Sequence, residues 1–83
     1  MKYTVGFKPK AVKDLRRLQT QDATRVADAL ERLADGLTGD VKQLTNHSPE
    51  YRLRVGQYRV LFEIEDENRI TVYRIVHRRE AYR

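Results

Sequence analysis

The 83-residue chain contains no cysteine, so neither a disulfide nor a thiolate metal site can supplement its core. That absence fits a reducing compartment. Long apolar runs are also missing. The most apolar stretch, Val60 to Val76, is broken by Glu63, Glu65, Asp66, Glu67, Arg69 and Arg74, which excludes a membrane-spanning helix there. The opening Met1-Lys2-Tyr3-Thr4-Val5 has no apolar segment of signal-peptide length. The expectation is a soluble cytoplasmic protein with no membrane partner. There are no internal repeats, low-complexity tracts or Pro/Gly/Ser-rich linkers, so residues 1–83 read as one domain. A P-loop, a Gly-rich nucleotide fingerprint and a paired-histidine zinc spacing are all lacking, so no cofactor and no metal is expected. A domain of this length buries only about 60% of its unfolded surface, so the core is modest.

What the chain does carry is positive charge. The formal net charge is +5 and the isoelectric point is about 9.8, which favours polyanionic partners. The kind of base changes along the chain. All five lysines lie at or before Lys42, whereas from Tyr51 onward every basic side chain except histidine is arginine. Arginine offers a planar fork that matches phosphate, where lysine is a point charge. The plainer alternative is that these arginines only solubilise a sheet surface.

Tyr3, Val5 and Phe7 alternate with other residues, as in a first strand. Pro9 sits where a helix can begin without an N–H, and Val12, Leu15 and Leu18 follow at helical spacing. Thr20-Gln21-Asp22 reads as a break. A second helix carries Val26, Leu30, Leu33 and Leu37 on one stripe and ends at Gly36 and Gly39. Val41 to Thr45 is an extended connector or partial strand, and Asn46-His47-Ser48-Pro49 is turn chemistry. Three strands follow, over residues 51–55, 58–64 and 70–76, joined at Gly56-Gln57 and Asp66-Glu67-Asn68. The tail from His77 to Arg83 is a helical turn or an extended end. The expected fold is α+β with the order β-α-α-β-β-β. An antiparallel-rich sheet carries a helical hairpin on one face and leaves a basic face open.

Alternation places Arg52 and Arg54 on one face of their strand and Tyr51, Leu53 and Val55 on the other. With Gly56-Gln57 as a two-residue turn, Arg54 pairs with Arg59, so Arg52, Arg54 and Arg59 converge on the face without helices. Like charges directly opposite each other destabilise a sheet. A bound anion would resolve the repulsion, as would surface pairing with Glu63, Glu65 or Glu80. The tail adds His77, Arg78 and Tyr82. RNA can be cut without a metal when its own 2′-hydroxyl attacks the adjacent phosphorus. Arginines can stabilise the added charge on phosphate, and His or Tyr can move the protons.

The segments Tyr51-Arg52-Leu53-Arg54-Val55-Gly56-Gln57-Tyr58-Arg59-Val60 and Val76-His77-Arg78-Arg79-Glu80-Ala81-Tyr82-Arg83, with Ala11-Val12-Lys13-Asp14-Leu15 in the first helix, resemble RelE-type toxins of the RelE/ParE superfamily. The resemblance runs over nearly the whole chain. It implies the toxin of a type II toxin–antitoxin system, a ribosome-dependent mRNA endonuclease that arrests translation. It also implies a cognate protein antitoxin, through which the pair would reach operator DNA. By position, the resemblance implies that Arg52 and Arg54 would hold and polarise the RNA, and that Arg59 would stabilise the phosphate. Arg78 would stabilise the phosphate or help the leaving group, and Tyr82 would orient or stack on a base and assist activation of the 2′-hydroxyl. Arginine stays protonated and is a poor general base. The acceptor of the 2′-hydroxyl proton is left among Tyr82, His77 and Glu63. The alternative within the superfamily is a ParE-like inhibitor of DNA gyrase with no nuclease activity.

Overall fold

The computed structural model describes residues 2–81. The elements run β1 (Thr4–Phe7), α1 (Pro9–Arg17), α2 (Thr20–Ala34), β2 (Val41–Gln43), β3 (Tyr51–Val55), β4 (Tyr58–Glu65) and β5 (Arg69–His77). The five strands form one sheet in the order β1-β5-β4-β3-β2, antiparallel throughout except for the parallel β1–β5 pair. The α+β architecture expected from the sequence is therefore present, with one strand more. The connector at residues 41–45 is a real edge strand. Val41 sits opposite Leu53, and its partial burial against the core makes the pairing worthwhile.

Helix α1 starts at Pro9, where the missing N–H leaves no hydrogen bond unmade. The break between helices lies at Leu18 and Gln19, both extended, and not at Thr20-Gln21-Asp22 as the sequence suggests. Those three residues open α2 instead. Short polar side chains favour helix starts as much as breaks, and Asp22 in the first turn meets the positive end of the helix. The buried stripe of α1 is also shifted. Ala11 is fully buried and Leu15 and Leu18 pack beside it, while Val12 lies off the core. Small Ala11 lets α1 approach the sheet closely. Helix α2 buries Val26, Ala29, Leu30 and Leu33.

These residues meet Leu53, Val60, Phe62, Ile70, Val72 and Ile75 from alternate positions of β3, β4 and β5, so both helices lie on one face of the sheet. Tyr51 and Phe62, paired across β3 and β4, stack on that face with centroids 5.5 Å apart. The opposite face is less open than expected. Leu61 and Val76 there are covered by Ala81, because residues 78–81 turn back over the sheet.

Strand β5 is flanked by β1 only through Val72, whose carbonyl accepts the Lys8 N–H at 2.8 Å. Beyond that point its edge would be unpaired. Asp14 of α1 closes it. One carboxylate oxygen accepts the Ile75 N–H at 2.9 Å and Arg74 Nε at 2.7 Å, and the other accepts Arg74 Nη2 at 3.2 Å. A bulge between Leu61 and Phe62 leaves Tyr73 as the extra residue of β5 beside Arg74. Burial alone would raise the Asp14 carboxyl. The hydrogen bonds from Arg74 and Ile75, with the charges of Arg74 and Arg17, outweigh it and hold the group below its ordinary 3.8. Arg74 is raised mainly by its hydrogen bond to Asp14, with a weaker attraction from Glu80.

A depressed carboxylate stabilises the fold above its unfolded pKa and loses that contribution as the pH falls through the lower folded value. Asp14→Ala should therefore cost about 1–3 kcal/mol at neutral pH, since a buried charge-assisted contact is lost while the exposed part of Arg74 is screened. Melting curves at pH 7 and below pH 3.8 check this. The gap between wild type and variant should shrink in acid, and a gap that widens there would remove Asp14 from the account.

Candidate functional site

The hairpin β3–β4 builds the arginine site. Gly56 adopts φ +58°, the left-handed conformation that suits glycine, and Gly56-Gln57 is the two-residue turn. The register pairs Val55 with Tyr58, Arg54 with Arg59, Leu53 with Val60 and Arg52 with Leu61. Arg52, Arg54 and Arg59 therefore share the face turned away from the helices, with Arg54 and Arg59 directly opposite each other. The same rungs continue into β5, where Arg59 meets Val76 and Leu61 meets Arg74.

Two of the three arginines are held. Arg52 Nη1 donates to the Asp40 carboxylate at 3.1 Å and to the Asp40 carbonyl at 2.9 Å. That same carbonyl accepts the Arg54 N–H at 3.0 Å. Arg59 Nη1 curls back onto the carbonyls of Gly56 at 3.1 Å and Tyr58 at 2.9 Å. Among the described residues the Arg54 guanidinium has no partner and is exposed. Glu63, Glu65 and Glu80 do not pair with these arginines among the described residues. Glu63 accepts the Glu50 N–H at 3.0 Å, and Glu65 accepts from the Thr71 hydroxyl.

Asp40 is the residue that the sequence did not reveal. Gly39, at φ +137°, passes so close to Leu53 that a Cβ would lie 2.9 Å from Leu53 Cδ1. This approach sets Asp40 beside β3. The contact spans twelve residues, and no local pattern announces it.

The tail divides. The Arg78 N–H donates to the Gln57 carbonyl at 2.8 Å, which extends the β4–β5 ladder to the hairpin turn and puts Arg78 at the arginine end of the sheet. His77 pairs with Tyr58, so it belongs to the helix side, across the sheet from Arg59. Its ring meets Tyr58 edge-on at 5.7 Å, and its Nδ1 accepts the Arg79 N–H at 3.3 Å. Alternation along β5 separates it from the three strand arginines. Tyr82 lies outside the described residues.

A family model described as the ParE toxin of type II toxin–antitoxin systems, parDE, matches residues 5–82. The chain belongs to this toxin family, within the RelE/ParE superfamily. A protein of Methanocaldococcus jannaschii named RelE1 is 30% identical, over 98% of this chain and 94% of the relative. The toxin–antitoxin complex RelBE2 of Mycobacterium tuberculosis contains a chain 28% identical with a TM-score of 0.79, covering 93% of this chain and 99% of that one. The archaeal RelE–RelB complex of Pyrococcus horikoshii matches at 25% identity and TM-score 0.77, over 98% of this chain and all of the other.

With Arg54 unpaired opposite Arg59, the site carries unrelieved repulsion. Arg54→Gln should leave the fold intact and raise Tm by roughly 1–2 °C at low salt, about 0.3 kcal/mol for a domain of this size. The gain should fade at high salt as screening removes the repulsion. A fall in Tm would mean that Arg54 makes a stabilising contact.

Proposed function

We propose that this chain is the toxin of a type II toxin–antitoxin pair and acts as a ribosome-dependent, metal-independent mRNA endonuclease. The observation that carries the reading is the rung pairing Arg54 with Arg59, next to Arg52 and on one face. Three guanidinium groups within two rungs suit a phosphate that gains charge as the 2′-hydroxyl attacks it. Arg52 and Arg54 hold the RNA strand, Arg59 stabilises the phosphorane, and Arg78 assists from the turn beyond β5. Tyr82 orients a base and is the leading candidate for moving a proton. His77, on the other side of the sheet, supports the tail through the Arg79 N–H and is not required for chemistry. The partners are a cognate antitoxin, the ribosome and mRNA, with operator DNA reached only through the antitoxin. Complexes of the similar toxins with RelB support the first of these.

Purified ribosomes programmed with a defined mRNA provide the test. Wild type should cut within the ribosome-covered codons, and Arg59→Ala should lower the rate about 100- to 1,000-fold, the usual effect of losing one preorganised donor. His77→Phe should retain most activity. The family description that matches the chain is that of ParE, which gives the gyrase reading its own support. Inhibition of DNA supercoiling with no cleavage of ribosome-bound mRNA would establish that reading in place of the nuclease.

A further inference from the structure

A second basic region lies across the sheet from the arginine row, at β5. A cleft of about 410 Å³ is lined by Lys8, Pro9, Lys10, Pro49, Tyr73 and Arg74. It joins the start of α1, the bulged residue of β5 and the loop between β2 and β3. Lys8 Nζ lies 5.3 Å from the centroid of the Tyr73 ring, within cation–π range. The volume falls in the range of small-ligand sites. A neighbouring cleft shares Lys10 and Arg74 and adds Lys13, Asp14 and Arg17. Five cations thus line the joined clefts against one carboxylate, and that carboxylate is already taken by Arg74. Lys8, Pro9 and Lys10 are the N-cap and first residues of α1, which has no acidic residue in its first turn, so the helix's positive end adds to the field.

We propose that this cleft is a stacking subsite for one nucleotide of single-stranded RNA, with its base on Tyr73 and its flanking phosphates on Lys8 and Lys10. The assignment rests on the RNA reading of the arginine face and extends it. Arg74 shares a rung with Leu61 and Arg52, so the subsite begins two strands, about 10 Å, from the arginine row. An oligonucleotide of a few residues can span both. Charge alone would suit an acidic protein segment equally well. The flat ring of Tyr73 with Pro49 beside it favours a base, because stacking on an aromatic surface is what a nucleotide adds to a run of phosphates. When the base arrives, Lys8 leaves the ring for a phosphate. Arg74 stays with Asp14 and keeps its partner.

Binding of a fluorescein-labelled adenosine hexanucleotide to the full chain, read by anisotropy without ribosomes, tests this. Tyr73→Leu keeps an apolar filler and should weaken binding about tenfold, the scale of one lost base stack. The double substitution Lys8→Gln, Lys10→Gln touches only exposed side chains. It should flatten the dependence of affinity on salt by about 1.4 in log–log slope, as for two lost phosphate contacts. Unchanged affinity and slope in both variants would overturn the proposal. So would a polyglutamate peptide that loses affinity on these substitutions while the RNA does not, since the occupant would then be an acidic protein. Failure of ribosomal cleavage would leave the oligonucleotide result standing. Conversely, loss of this subsite alone would leave the arginine row as it is.

Discussion

The Asp14 carboxylate is the contact on which the docking of α1 against β5 and the cleft at Tyr73 depend. Strand β1 is too short to cover β5 beyond Val72, and an uncovered strand edge leaves backbone groups without partners. A helix crossing that edge cannot supply a ladder, because its own N–H and C=O groups are already paired. A carboxylate can, since it accepts several hydrogen bonds at once. Asp14 takes the Ile75 N–H and Arg74 together, which fixes α1 against the sheet and accommodates the bulge that frees Tyr73. It also withdraws one guanidinium from the field over the sheet. The acid that completes the ladder is thus the one that sets the local charge balance.

The arginine hairpin solves a different problem. Repulsion between Arg52, Arg54 and Arg59 cannot be relieved by distance, because the register pairs Arg54 with Arg59 and leaves only the Leu53–Val60 rung between them and Arg52. The chain relieves part of it with oxygen. Arg52 uses a carboxylate and a carbonyl of Asp40, and Arg59 uses two carbonyls of its own turn. Neutral carbonyls bind a guanidinium less strongly than a charged acceptor does, so these contacts orient the arginines without neutralising all of them.

Strand alternation and the Gly56-Gln57 turn were enough to place Arg52, Arg54 and Arg59 together, because both are local rules with a fixed period. The same rules put Tyr51, Leu53 and Val55 toward the helices. Reading failed where a residue's meaning depends on a distant partner. Thr20-Gln21-Asp22 has the composition of a break and forms a helix start. Val12 has the hydrophobicity of a core residue, yet Ala11 is the α1 residue buried in the core. Asp40 and Asp14 act across twelve and sixty residues, and nothing in their neighbourhoods marks them. His77 looked like part of the arginine constellation because it is near Arg78 in sequence, while one step of alternation puts it on the other side of the sheet.

The held arginines have a consequence for how an anion would enter. A phosphate approaching Arg59 would displace two carbonyl contacts and put a charged acceptor where neutral ones had been. At Arg52 it would compete with a carboxylate. Arg54 has nothing to give up among the described residues. On the proposed RNA reading the three positions would form a graded series, with Arg54 holding no acceptor among the described residues, Arg59 holding neutral carbonyls and Arg52 holding a carboxylate. On that reading Asp40 would compete with a polyanion for Arg52. A toxin-family chain with five excess positive charges has reason to limit such binding, because non-specific binding to nucleic acid grows with every free cation.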